Sequence, residues 1–437
     1  MKVMRQLVTV WMICWSLVTY SQHQLRYDPI PDVTYEEVGD RLSCIEGEVP
    51  LNYNDKVKSF IDYFTIRDRP YTRGVLAKLD IYFPIFEEAL ERYGLPDELK
   101  YLSIVESGLR PNAISRANAV GLWQFVSSTG RMYGLQSDWY LDDRMDPYAS
   151  SDAAARHLRD LYSMFGDWEL ALAAYNCGPG NVRKAIRRSG YQKHFWDIYN
   201  YLPRETRSYV PQFVAVLYAV NYAAEHNLFP DKTELLPRYD TVMVSQYFHL
   251  ETFANQLNVC LDDLLDMNPN IKRGAIPEGT KDFVLRVPED LKSQINENRS
   301  MLYDTAGKVG REHLDYLARN TPGSTYGRVR QIYRVRSGDV LGTIAQRYHV
   351  RVSDIRSWNN LSGNIIRVGQ NLNIWVMPTY NSSTKDLYVT TSARDVNTVE
   401  PKPGQKVHHV QPGDTLWEIA KKADVSIDKL KSLNNLS

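Results

Sequence analysis

A stretch of thirty residues occurs twice in this chain. Tyr333–Ser362 (YRVRSGDVLGTIAQRYHVRVSDIRSWNNLS) aligns without gaps on His408–Ser437 (HHVQPGDTLWEIAKKADVSIDKLKSLNNLS), with 12 of 30 positions identical at an offset of 75. Repetition on this scale constrains the fold strongly, because each copy must be one small supersecondary unit. Each reads as a strand, a Gly-Asp turn, a short amphipathic helix, a second helix and an Asn-Asn pair. The first copy runs on through Ile365–Ile374, a turn and a returning strand, which makes a β-α-α-β unit. The second stops at Ser437 before its returning strand, so either the chain is truncated or this module is incomplete. A fainter third copy lies upstream, with Leu250, Phe253, Ala254, Val259, Leu264 and Asn268 in corresponding places and Phe283–Val287 as a closing strand, but without the Gly-Asp turn.

These units resemble LysM modules. The matching residues are Val335, Gly338, Asp339, Leu341, Ile344, Ala345, Asn359 and the Val368-Gly369-Gln370 turn, then Val410, Gly413, Asp414, Leu416, Ile419, Ala420 and Asn434. The resemblance implies binding of N-acetylglucosamine units in glycans by modules at 331–377 and 407–437. The stretch 240–290 is LysM-like, and either binds glycan or packs against the rest of the chain. Polar stretches at 291–330 and 378–406, the second rich in Ser, Thr, Lys and Pro, read as linkers. A tethered binding module raises the local concentration of substrate and leaves the chemistry alone.

With 437 residues the chain is too long for one ordinary core. Lys plus Arg and Asp plus Glu both number 52, so no global field draws in nucleic acid or an anionic surface. Lys2 and Arg5 precede the apolar run Leu7–Tyr20, and polar residues follow from Ser21. That pattern reads as a secretory signal peptide over 1–21, an uncleaved membrane anchor being the other reading. The protein is then exported, to the periplasm or cell envelope, and membrane association of the mature chain stays open. Cys44, Cys177 and Cys260 are three and widely spaced, which is no disulfide framework. No Cys or His cluster has ligand spacing, so neither metal nor cofactor is expected.

The stretch 22–230 is helical in pattern, with its motifs inside 85–225. One helix is expected from Pro96, carrying Leu99, Leu102, Ile104 and Val105 inward and ending near Ser107-Gly108. Others are expected over Asp152–Phe165, Trp168–Tyr175 and Thr206–His226. Together they would make a compact, mainly α domain of lysozyme-like size ahead of the small α+β modules. Glu106 ends the first of these apolar runs. A carboxyl held against apolar side chains has a raised pKa, because desolvation penalises its charged form, and can then deliver a proton to a glycosidic oxygen.

The neighbours of Glu106 carry a second resemblance. Glu106-Ser107, Pro111, Ala113, Ser115, Gly121-Leu122-Trp123-Gln124-Phe125 and Thr129-Gly130 resemble the first two motifs of the lytic transglycosylase family. Ala173-Ala174-Tyr175-Asn176 with Gly178, Gly180 and Asn181 resembles its third, and Glu205-Thr206-Arg207 with Tyr209-Val210-Pro211 its fourth. Order and spacing agree across roughly 130 residues. Ser127 stands where a proline is common and Asn118 where a glycine is common; only loop geometry is expected to change. The resemblance implies that Glu106 is acid and then base, acting on peptidoglycan glycan strands. Ser115, Gln124 and Asn176 would bond the acid or the substrate's N-acetyl group. Tyr175 and Tyr209 would position Glu106, and Trp123 and Phe125 are candidate sugar platforms, plain core aromatics being the other reading. Ser107 and Thr129 complete the substrate-binding set.

Hydrolysis of a glycosidic bond ordinarily needs a second carboxylate. The motifs are read as supplying none, and Asp142, Asp143 and Asp146 read as a turn and a helix cap. The expected outcome is therefore attack by the C6 hydroxyl of N-acetylmuramic acid on its own anomeric carbon, leaving a 1,6-anhydro end. The rivals are a goose-type lysozyme that uses water, and an inactive wall-binding protein that keeps the fold for recognition.

Overall fold

A computed structural model describes residues 29–378 except 231, 235 and 237, together with 419–420, 423, 425–426 and 429–430. The expected signal peptide, nearly all of the 378–406 stretch and most of the C-terminal repeat lie outside the described residues. The chain divides into two units, one up to Arg328 and one from Val329.

The first unit begins with helices whose starts are written into the sequence. Thr34 accepts from Glu37 N while the Glu37 carboxylate accepts from Thr34 N, a reciprocal cap on α1 (Tyr35–Ile45). Asn54 caps α2 (Asp55–Asp62), and Asp68 caps α3 (Arg69–Leu76). Then follow α4 (Leu79–Arg92), α5 (Leu102–Ser107), α6 (Ser127–Met132), α7 (Pro147–Phe165), α8 (Trp168–Cys177), α9 (Pro179–Arg188) and α10 (Tyr209–Asn221). One continuous apolar core joins them.

Two helices differ from expectation. Pro96 precedes the first helix and does not open it: Asp97–Tyr101 forms a 3-10 turn with Leu99 N bonded to Pro96 O, and only then does α5 begin. Tightening of this kind is common where N-terminal amides lack partners. The expected Thr206–His226 helix is broken into a short Arg204–Arg207 turn, α10, and a 3-10 turn over Ala224–His226. Pro211 has no N–H to offer the Arg207 carbonyl, so the helix restarts at Tyr209 with proline inside its first turn.

Beyond α10, β1 (Tyr239–Val244), α11 (Leu250–Leu257), α12 (Leu261–Met267) and β2 (Phe283–Pro288) make a β-α-α-β unit. Its strands pair antiparallel with Val242 opposite Leu285. Asn268 ties it together: its Nδ2 donates to Leu264 O and Arg286 O, and its Oδ1 accepts from Arg286 N. The stretch after it is folded, which corrects the linker expectation for 291–330. Helices α13 (Arg299–Ala306) and α14 (Arg311–Asn320) cover this unit, burying Leu302, Tyr303 and Ala306 in its core and Ala318 beside Tyr247 and Ala275. The polar composition there is that of helices with one buried stripe.

The second unit repeats the plan with β3 (Val329–Arg334), α15 (Leu341–Arg347), α16 (Val352–Trp358) and β4 (Asn371–Val376), Ile332 lying opposite Asn373. Asn359 makes the same bonds as Asn268, donating to Ile355 O and Asn373 O and accepting from Asn373 N. The Gly-Asp turn works through both residues. Gly338 takes φ +87°, and the Asp339 carboxylate accepts from Tyr333 Oη at 2.6 Å and Arg336 N at 2.7 Å.

Candidate active site

The site is built around the C-terminal end of α5. Gly108 closes the helix in the left-handed region at φ +61°, so the chain turns sharply just past Glu106. The following loop folds back on itself through bridges from Val120 to Ile114 and to Phe125. Gly121 is obligatory in it: at φ +89° a Cβ would lie 1.8 Å from Arg144 O. Buried Arg144 clamps the loop, donating to Asn118 O, Phe125 O and Ser127 Oγ at 3.1–3.2 Å while Asp142 neutralises it. The two departures from the family pattern fit this arrangement. Asn118 adopts φ +58°, which asparagine tolerates as glycine does, and Ser127 gives Arg144 an acceptor that proline lacks.

Glu106 faces a cavity of about 650 Å³ and keeps part of its surface open to it. Burial raises its pKa from 4.5 to about 7, against the hydrogen bond from Tyr209, and the Glu205 charge raises it further. Tyr209 Oη donates to Oε1 of Glu106. That leaves Oε2 as the oxygen able to carry the acidic proton. Tyr209 and Tyr175 are both held far above the ordinary phenol range by burial and by the Glu106 charge, so both stay neutral donors. Tyr175 Oη donates to Trp123 O at 2.8 Å.

The other site residues expected from sequence fall into two groups. Ser115 and Gln124 line the cavity with Glu106. Gln124 Nε2 is committed to Gly121 O and Ala113 O, so its amide oxygen is the group left for a ligand. Asn176 is half-buried and accepts from Thr206 Oγ1 at 2.8 Å, which joins the third and fourth motifs. The remaining four, like Asn176, are not on the cavity wall. Trp123 is 1 % exposed and Phe125 3 %, so neither ring has a face for a sugar. Trp123 packs edge-on to Phe86 and donates from Nε1 to Ser151 Oγ at 2.9 Å, a core role. The buried Ser107 hydroxyl is spent on Ser103 O and Leu122 O, which fastens α5 to the loop. Thr129 sits half-buried on α6, away from the cavity lining.

Sequence reasoning also missed residues. Lys78, Tyr82 and Arg110 line the cavity with no motif to announce them, since they sit on elements folded against α5 and on an exposed loop. Glu205 was passed over as a carboxylate although it lies in the fourth motif, and its charge reaches Glu106. Asp142, Asp143 and Asp146 are engaged elsewhere. Asp142 pairs with Arg144, Asp143 accepts from Gln136 N at 2.8 Å, and Asp146 caps α7 and pairs with Arg286. Among the described residues no group of three His, Cys, Asp or Glu side chains could hold a metal ion. Cys44, Cys177 and Cys260 are unbridged.

A helical core that holds a carboxyl of raised pKa on the wall of a cavity defines a lysozyme-like enzyme that cleaves glycosidic bonds. The transglycosylase SLT domain matches residues 83–197, the LysM domain 333–375 and 408–437, and the LysM-like domain of lytic transglycosylase MltD 238–304. Membrane-bound lytic murein transglycosylase D of Escherichia coli strain K12 is 30% identical over 403 residues, spanning 91% of this chain and 82% of that protein. Membrane-bound lytic murein transglycosylase F of Maricaulis maris is 34% identical over 152 residues, 32% of this chain and 31% of the relative. A solved lytic transglycosylase Slt from Pseudomonas aeruginosa is 26% identical with a TM-score of 0.28, covering 35% of this chain and 28% of that one. The chain belongs to the peptidoglycan lytic transglycosylase family.

Proposed function

We propose that this enzyme cleaves the β-1,4 bond between N-acetylmuramic acid and N-acetylglucosamine and leaves 1,6-anhydro-N-acetylmuramic acid ends. One observation carries the reading: Glu106 is a half-buried carboxyl with a pKa of about 7, fixed through Oε1 by Tyr209 and open to the cavity. Protonated Glu106 gives its proton to the glycosidic oxygen as the C1–O4 bond breaks. The substrate's acetamido group stabilises the cation at C1, with Gln124 and Ser115 placed on the cavity wall to hold it. Ionised Glu106 then removes the proton from the C6 hydroxyl, O6 bonds to C1, and the acid is regenerated without water. A pKa near the working pH suits a group that must act in both senses.

The domain division belongs to the same reading: signal peptide 1–21, catalytic domain 22–230, LysM-like domain from 240, and LysM modules 331–377 and 407–437 that hold N-acetylglucosamine units. The enzyme is taken to act in the periplasm or envelope. No helix among the described residues is long and apolar enough to cross a membrane. The hydrolytic reading is favoured by one observation, the closeness of the Glu205 charge to Glu106, because an exposed carboxylate there could activate water. Mass analysis of digested wall glycan separates the two. Ends lighter by one water and resistant to borohydride are expected, and Glu106→Gln should remove them with a loss of ~100-fold or more. Mainly reducible ends, lost in Glu205→Gln, would establish the hydrolase.

A further inference from the structure

The LysM-like domain is joined to the catalytic domain as one wall to another. Backbone pairs cross the seam: Leu141 bridges Ile271, Asp142 N donates to Asn270 O at 2.9 Å, and Lys272 N donates to Tyr140 O at 2.8 Å. Arg286 forks onto Asp146 at 2.8 and 3.3 Å and stacks over Tyr148, 4.7 Å from the ring centroid. Its outer loops are closed as well. In the second unit Ile365 and Val368 are 88 % and 71 % exposed, whereas here the region facing α13 and α14 is tied down, with Tyr247 Oη on Val309 O at 3.0 Å. What this domain presents to the catalytic cleft is its other side.

That side completes the cavity of Glu106. Asp266 and Pro269 of this domain, with Glu234 and Leu236 of the segment that leads into it, line the cavity together with Lys78 and Arg110. Glu234 N donates to Ala77 O at 2.8 Å, which fixes this segment beside Lys78. Asp266 senses the neighbouring carboxylates: burial, Asp262, Asp263 and Glu234 all push its pKa up. The cavity continues along the seam into a second hollow of about 360 Å³ that shares Ile81, Tyr82, Leu236 and Asp266 with the first. The stem-bearing glycan strand carries no charge of its own and has no use for a cavity lined by two cations and two carboxylates. The short peptide stem on its muramic residues is zwitterionic, and it leaves the sugar ring on the side away from the cleaved bond.

We infer that the LysM-like domain forms the far wall of the catalytic cleft and there selects substrate by its peptide stem. Asp266 of that domain and Glu234 of the segment leading into it receive the stem's ammonium, and Lys78 and Arg110 its carboxylates. The inference rests on the proposed wall-glycan activity. Its test compares cleavage of stem-bearing wall strands with strands stripped of stems by an amidase, read by total new chain ends whether anhydro or reducible. The full-length enzyme should prefer stem-bearing strands. Asp266→Asn, and independently Lys78→Met, should each lower the ratio of kcat/KM for stem-bearing over stripped strands by about tenfold, the scale of a lost charge contact at a partly exposed site. Asp266 is exposed and Lys78 is half-buried, so thermal melting should stay close to the parent, and the two variants guard against misfolding of either. Equal cleavage of both polymers by the parent, or variants that slow both alike, overturns the inference. Absence of ends on either polymer would instead overturn the proposed function.

Discussion

Glu106 taxes the stability of the protein that uses it, and Glu106→Gln exposes the size of the cost. In the unfolded chain this carboxyl ionises near 4.5, but in the folded one near 7, because burial disfavours its anion. Below pH 4.5 both states hold the proton and nothing is lost. Between 4.5 and about 7 the folded state binds more protons than the unfolded, so stability falls as pH rises, and above 7 it stays down. Carrying the group over that interval corresponds to ~3 kcal/mol. The part of Glu106 open to the cleft is screened by water, which brings the expected figure to ~1–2 kcal/mol. Glutamine keeps an oxygen for Tyr209 and has no charge to bury. The variant should therefore melt about 2–6 °C above the parent at pH 8 and together with it at pH 4. Differential scanning calorimetry at both pH values reads this directly. An equal shift at both values, or a variant less stable at pH 8, would refute the claim that burial of charge sets the acidity of Glu106.

Tyr209→Phe removes the donor that holds the Glu106 pKa down, so the alkaline limb of kcat/KM, centred near 7 in the parent, should move to higher pH while kcat drops at least about tenfold. An unmoved limb would separate Tyr209 from the acid. Trp123→Ala should cost about 3–5 kcal/mol in denaturant melts, as deletion of a buried core ring does. A stable variant with selectively lost glycan binding would restore the sugar-platform role. Ending the chain at Arg328 should weaken sedimentation with intact sacculi yet preserve turnover on short soluble strands, since the units divide there. Parallel loss on both substrates would make the distal modules part of catalysis.

Sequence alone determined whatever rests on local pattern. The repeat at offset 75 announced β-α-α-β modules, and even the copy without its Gly-Asp turn folds so, because Asn268 and Asn359 do the same work between the second helix and the closing strand. Helix caps at Thr34 and Asp146 are equally local. Glu106 was legible because an apolar run, a helix-ending glycine and a spaced motif stand side by side. Tertiary structure alone decided what each motif residue faces. Trp123 and Phe125 sit in the motif between glycines, where sequence allows either a sugar platform or a core ring, and the loop turns them into the core, since burying an aromatic ring is worth more than displaying it. The polar 291–330 stretch looked like a linker because a helix with a narrow buried stripe has a linker's composition. The far wall of the cleft was invisible for a deeper reason. Lys78 and Asp266 are 188 residues apart, and no periodicity or motif records that the Arg286–Asp146 pair and a backbone seam bring their elements to one cavity.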